Sequence, residues 1–438
     1  MTALRRYLAT PINNAPLAVW RIAFGLLMML ESWGAIATGW VHRNLVEPAF
    51  TFNFIGFDWL QFFVGWPMYV WFGVMGLAAV GVMLGYRYRA SAVLLAVLWT
   101  GAYLMQKTSY NNHYYLAVLL CWWMVLLPAD RRASLAVRQG GTATGTAPRW
   151  IWVLAKAQLL IVFTYGALAK FYPGWLNGDF IALSFQRKAG YPVIGPLLAE
   201  PWFQTFITYG AIAFDGLIIP LLWWRPTRRL AFVGLIVFNL FNSVVFQIGI
   251  FPYLVLAMTV FFFEPEFIER LFRLKRVPVA GTAQAAPLFG RGPTVALLGY
   301  LMLQLALPLR HHFIEGDVNR REEGHRMSWR MMLRSKGGQL TLEAVNPQTG
   351  ERERIRPRDH LSPKQASRLP GYPYFIWRFA RQLDAYYLKE RDWEQVEVYA
   401  TRSRVFLNGK DPRPLVDSTV DLTAVPWNYW GRNEWVLD

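Results

Sequence analysis

"ASAVLLAVLWTGAYLMQKTSYNNHYYLAVLLCWWMVLLP", residues 90–128, holds two apolar runs separated by a short polar string. Each run is long enough to enter a bilayer, whose hydrocarbon core takes roughly 20 apolar residues of helix to cross. The string between them contains Lys107, Asn111, Asn112 and His113. Polar groups are costly at such a place, so each needs a partner or a task. Outward from this stretch the apolar pattern repeats. Spans are expected near 15–39, 66–85, 90–105, 113–128, 150–172, 203–224, 229–247, 252–263 and 293–309. The Gly and Pro of "FQIGIFPY" (246–253) interrupt the stretch 229–263. It reads either as two crossings or as one crossing plus a re-entrant piece, which gives eight or nine spans.

Composition agrees. The chain is 54% hydrophobic and only 17% charged, which sets aside the ordinary soluble classes. "MTALRRYLATPINNAPL" has early arginines but no short apolar core ending in a small-residue cleavage site, so the first span is expected to remain as a helix. Cys121 is the one cysteine, which leaves neither an intramolecular disulfide nor a thiolate metal site, and no metal is expected.

The net charge of +17 has a membrane explanation rather than a nucleic-acid partner. Arg5, Arg6, Arg87, Arg89, Arg131, Arg132, Arg138, Arg225, Arg228, Arg229, Arg270, Arg273, Lys275 and Arg276 fall on one side if 229–263 crosses twice. The opposite loops carry only Arg43, Lys107, Arg187 and Lys188. The positive-inside rule then places the N-terminus in the cytoplasm and the region after Arg310 outside a cell inner (plasma) membrane.

Two domains are expected: a transmembrane helical domain over 1–310 and an extramembrane α+β domain over 311–438. In the tail, "GQLTLEAVNPQTGERERIRP" reads as two strands around a turn. "YPYFIWRFARQLDAYYLKER" has helical spacing of Phe375, Phe379 and Leu383. "QVEVYATRSRVFLNGKDPRPL" reads as strand again, with Asn408-Gly409 as the turn signal. The fold class is therefore mainly α: a polytopic bundle followed by a small α+β domain.

Five ionisable residues lie within spans: Arg21, Glu31, Lys156, Lys170 and Asp215. Each has a structural reading as a packing or snorkelling group. Arg21 and Glu31 are about 15 Å apart along one helix, too far to pair. Topology favours more for Lys170, which ends its span on the outer side before "FYPGWLNG". Lys107, Asn111, Asn112 and His113 are expected at the same level. A lysine in an apolar wall can serve as an uncharged base near pH 7, because burial disfavours the ammonium form. A pocket near lipid suits a lipid-soluble reactant such as a quinol. The residues themselves lead to a membrane base and no further.

At "KTSYNNHYYL" (107–116) and "GALAKFYPGWLNG" (166–178) the chain resembles the vitamin K-dependent gamma-carboxylase family. The likeness extends through "PLAVWRIAFGLLMMLE", "FNLFNSVVFQIGIFPY", "EEGHRMSWRMMLRSK" and "KDPRPLVD", nearly the whole chain. The resemblance implies conversion of protein glutamate to gamma-carboxyglutamate with reduced vitamin K (phylloquinol or menaquinol), O2 and CO2. It implies Lys170 as the base that ionises the hydroquinone and His113 as its support. Oxidation of the cofactor to its epoxide then supplies a stronger base for the glutamate. Cofactor contacts are implied for Asn111, Asn112, Lys107, Tyr165, His325 and Trp329. Expected partners are membrane lipid, the quinol and a secreted Glu-containing protein or peptide. The chain departs from vertebrate members at Asn239, Arg320 and His325, and ends short of their length. Two other readings stay open: a quinol epoxidase or oxidase with a non-protein acceptor, and a non-enzymatic membrane module that binds partners through its tail.

Overall fold

The computed structural model describes residues 1–277 and 289–438. Among the described residues seven helices are long and apolar enough to cross a membrane: α1 (Ala15–Ala37), α2 (Pro67–Leu84), α3 (Tyr88–Met105), α5 (Trp150–Leu168), α6 (Pro201–Trp223), α7 (Arg228–Val245) and α9, which starts at Arg291 and runs on as a tighter turn to Phe313. Two shorter apolar helices complete the set. They are α4 (Asn112–Leu126) and α8, which runs from Phe251 to Met258 and tightens into a 3-10 turn to Phe262. The break at 247–250 therefore lies between two helices, as Gly249, at a positive φ of 64°, allows.

Proline begins many of these helices, where its missing N–H is no loss. Small residues let backbones approach. A Cβ on Gly25 would lie 2.5 Å from the backbone nitrogen of Met83, so α1 and α2 cross in direct contact there. Two short strands, Pro11–Asn13 and Thr146–Pro148, pair antiparallel and tie the segment before α1 to the segment before α5.

The C-terminal segment carries a four-stranded antiparallel sheet. Its strands are β1 (Lys336–Val345), β2 (Arg352–Ile355), β3 (Glu397–Leu407) and β4 (Arg413–Pro414), in spatial order β2-β1-β3-β4. Helix α10 (Pro373–Glu390) buries Phe375, Phe379 and Leu383, the residues whose spacing marks its apolar face. That core is not built from the tail alone. Phe50 and Phe52, from the loop after α1, pack into it, with ring centroids of Phe52 and Phe375 5.0 Å apart. Gln365 Nε2 donates to the carbonyl of Phe50 at 2.9 Å, and the Tyr374 hydroxyl to that of Asn53 at 2.8 Å. The sheet segment is thus bolted to the bundle through a loop near the start of the chain.

Candidate functional site

A cavity of about 710 Å³ lies among α5, α6, α7 and the start of α8, roofed by Met331 and Met332. Its lining follows α6 from Phe203 to Leu221, a length of about 27 Å at the helical rise. The walls are Phe, Ile, Leu and Val, and several of them, including Phe206, Leu230, Val233 and Val237, are more than half exposed. In a bilayer such side chains face lipid, so the cavity opens sideways between α6 and α7. Among the described residues, three side chains that can carry charge line it: His113, Lys170 and Asp215.

Lys170 follows the last turn of α5. Its Nζ donates to Asp215 Oδ2 at 2.5 Å and to the Gly166 carbonyl at 2.8 Å. Both partners are buried, at 5% and 8% exposure. Gly166 makes the approach of α6 feasible, because a Cβ there would stand 3.3 Å from Asp215 Oδ2. The Trp175 ring lies 5.2 Å from the ammonium. His113 sits in the first turn of α4, its ring 4.7 Å from that of Phe251. Its Nδ1 is buried without a hydrogen-bond partner. An orphaned buried nitrogen beside a cavity is available to a ligand.

The other residues singled out from the sequence go elsewhere. Asn111 caps α4, its side chain accepting from the Tyr114 N–H at 2.7 Å. Asn112 Nδ2 donates to the Arg330 carbonyl at 3.0 Å, and the Tyr110 hydroxyl accepts from the Met327 N–H at 2.6 Å. Lys107 lies over the Tyr374 ring, 3.1 Å from its centroid. The polar string is therefore mainly a seam that joins the bundle to the C-terminal segment, and only His113 reaches the cavity. Trp329 is fully buried against Tyr115, with centroids 5.1 Å apart. Tyr165 donates to the Leu305 carbonyl at 2.6 Å. His325 borders a separate cavity on the side of the sheet segment.

The seam holds unusual backbone in place. Glu322, Met327, Trp329 and Met332 adopt positive φ between 51° and 73°. Non-glycine residues stay there only when their surroundings fix them. Here Asn112 and Tyr110 hold the segment from below. Glu322 accepts from Lys336 at 3.0 Å and also from Arg334. Burial alone would raise the Glu322 carboxyl, but the Arg334 and Lys336 charges overcome this and keep it well below the usual carboxylate range. The His325 imidazole is held well below its ordinary value by burial and by Arg334.

Asp215 is the partner that reading the sequence left unpaired. It lies about 21 Å along α6 from Pro201. Two helices that start level would keep it far from Lys170; α6 instead begins well outside the end of α5. The remaining charges within spans do not line this cavity. Arg21 donates to the carbonyls of Ala129, Arg132 and Ala133. Lys156 rests against Trp223 and Phe262. Glu31 borders a recess of about 30 Å³.

Residues 9–267 match the family model of the HTTM domain, and residues 291–438 match that of the vitamin K-dependent gamma-carboxylase lumenal domain. The chain belongs to the vitamin K-dependent gamma-carboxylase family. No solved structure matches it. It is a multi-pass membrane protein of this family, and family membership implies use of vitamin K hydroquinone, O2 and CO2. The cavity suits such a cofactor: it is long and mostly apolar, and His113, Lys170 and Asp215 line it. Among the described residues no cluster of His, Cys, Asp and Glu is arranged to hold a metal ion.

Proposed function

We propose that this protein is a vitamin K-dependent gamma-glutamyl carboxylase that couples hydroquinone epoxidation to carboxylation of glutamate side chains. The overall chemistry balances: hydroquinone and O2 give epoxide and water, while a glutamate γ C–H and CO2 give a second carboxylate and a proton. The bound hydroquinone supplies the oxidisable ring and, through its oxidation, the driving force for removing the glutamate proton.

The observation that carries this reading is the buried Lys170–Asp215 pair in a lipid-open cavity that His113 also borders. The pair is net neutral whichever partner holds the shared proton. It can take up one further proton and then bears a single positive charge beside the place where negative charge develops. That is the service a phenol needs from a base, and the surrounding low dielectric strengthens it. Lys170 is the base, Asp215 aims it and shares its proton, and His113 holds the reacting oxygen through its free nitrogen. The cavity walls exclude water, which would otherwise quench a strong base. We place the N-terminus in the cytoplasm of a plasma membrane and the sheet segment outside, following the arginine-rich loops.

The test uses purified protein in lipid with reduced vitamin K, labelled bicarbonate and a glutamate peptide, following label and epoxide together. The native protein is expected to form both. Lys170→Ala is expected to lose about 10²–10⁴-fold of each, the usual contribution of a positioned base. Epoxide without label would favour a quinol epoxidase acting on another acceptor. An active Lys170→Ala protein would remove this lysine from the mechanism.

A further inference from the structure

We propose that the small recess beside Glu31 is a lipid headgroup site, and that it takes the primary ammonium of a phosphatidylethanolamine-type lipid. The recess shares no lining residue with the cofactor cavity among the described residues.

The recess holds about 30 Å³ and lies among α1, α2, α3 and the first turn of α4. Six aromatic side chains line it, and among the described residues Glu31 is its one charged group. The rings form a box. Tyr114 stands at 89° to Trp40 and at 88° to Trp99, with centroids 6.3 and 5.4 Å apart. No cation lies against Glu31 among the described residues. A carboxyl about 9 Å along the helix from the end of α1 is costly without a partner. The Tyr103 hydroxyl, on a side chain 9% exposed, is buried and has no hydrogen-bond partner. An acid, a spare hydroxyl and several ring faces together match an ammonium group, which brings positive charge and three donors. Lys107 and Arg326 lie over the Phe54 and Tyr110 rings, but neither lines the recess.

Size narrows the cation. The recess has room for about two water-sized groups. That admits an ammonium and the methylene that carries it, and shuts out a trimethylammonium. A metal ion would require a shell of oxygens, which ring faces do not supply.

The rim identifies what the ammonium is attached to. Lys364 Nζ donates to Ser109 Oγ at 2.9 Å and to Asn44 Oδ1 at 2.6 Å, and lies 5.7 Å from the Trp40 ring centroid. Ser109 and Trp40 are both walls of the recess. Burial, Arg368 and Arg43 push the Lys364 ammonium down to about 8, so this rim is rich in cations and short of an anion. A phosphate supplies the anion, and the short ethanolamine arm then reaches past Trp40 toward Glu31. The height fits a headgroup. Trp40 follows the end of α1, and Ser109 lies in the turn between α3 and α4, where the helices leave the hydrocarbon. Leu30 and Val70, exposed on α1 and α2, offer surface to the acyl chains.

The experiment is native mass spectrometry of the full chain, released from nanodiscs that hold equal amounts of phosphatidylethanolamine, phosphatidylcholine and phosphatidylglycerol with the same acyl chains. The native protein is expected to retain the ethanolamine lipid about tenfold or more over the choline lipid. Glu31→Gln keeps the shape of the side chain and is expected to abolish that preference. Trp40→Leu is expected to weaken it by a smaller factor, Lys364→Gln to lower retention of the ethanolamine lipid, and Arg352→Gln on the sheet edge to change nothing. The ratio is read within one sample, so partial unfolding of a variant lowers all three lipids alike and does not imitate a loss of choice. Equal retention of the ethanolamine and choline lipids, or an unchanged preference in Glu31→Gln, would overturn the proposal. So would a preference for phosphatidylglycerol, which would leave only a phosphate contact at Lys364, or an inorganic cation retained in place of lipid. Neither carboxylation nor epoxidation enters the readout, so this site and the carboxylase reading stand or fall separately.

Discussion

Helices α1 and α5 differ from α6 and α7 in packing far more than in composition. Mean hydropathy over their most apolar windows is 1.3 and 1.7 for the first pair, against 1.7 and 1.4 for the second. Yet 61% of the window is buried in each of the first pair and 28% in each of the second. The packed pair meets its neighbours through small residues and filled gaps, as Gly25 against Met83 shows. The open pair lines a cavity with bulky side chains that leave space between them. Lipid provides no hydrophobic force to press helices together, so close fit decides packing and poor fit leaves room for a ligand. The cavity lies in the half that packs less closely.

The largest effect that would test this contrast is at the buried ion pair that joins the end of α5 to α6. Asp215→Asn leaves Lys170 buried without its counter-ion, and breaking a buried pair typically costs about 3–5 kcal/mol. Thermal unfolding in lipid should show it as a marked loss, with product formation falling too. A small loss would mean that Lys170 reaches water through the cavity and that the open half is wetter than its walls suggest. Next comes a matched pair of glycines. Gly25→Ala forces a Cβ into the Met83 backbone and should cost roughly 1–3 kcal/mol. Gly210→Ala, on the cavity wall with nothing within 4 Å of the added carbon, should leave stability nearly unchanged. Equal effects at both would erase the distinction between the halves.

The last effect, seen only as pH falls, concerns the clamp over the cavity. The Glu322 carboxyl is depressed in the folded protein by Arg334 and Lys336, so its contribution is fully present above the unfolded carboxylate value, near pH 4–5, and fades as pH falls below that. Native protein should therefore lose stability between about pH 5 and 3 more steeply than Glu322→Gln, read by thermal unfolding at each pH. Parallel curves would show that the clamp does not depend on that charge.

Much of this architecture is legible in the residues. Apolar length marks the spans, and the Gly and Pro near 250 mark the break between α7 and α8. Alternation and the Asn408-Gly409 turn mark the sheet, whose turn residues adopt φ of 52° and 77°. His113 and Lys170 do border one cavity. What the residues do not reveal is relative height and facing. The Lys170–Asp215 pair depends on α6 starting outside α5, which no local pattern encodes; the only hint is an acid and a base in neighbouring spans. Lys107 and Asn112 are polar at the right depth, but they turn toward the C-terminal segment, contacts across more than 200 residues, while Asn111 caps α4. Depth follows from hydropathy, whereas direction follows from tertiary packing.

The hook formed by Phe50 and Phe52 bears on how the protein is made. Its partner Gln365 lies 315 residues later in the chain. At about 5–20 residues per second, a ribosome needs roughly 15–60 s to reach it. During that interval two phenylalanine rings that end at 8% and 0% exposure stand uncovered beside a half-assembled bundle. A chain stopped near residue 310 would keep them so permanently, and the tail made alone would lack part of its own interior. Each piece alone would leave bare the aromatic surface that the other covers, so the hook couples completion of the chain to burial of its early loop.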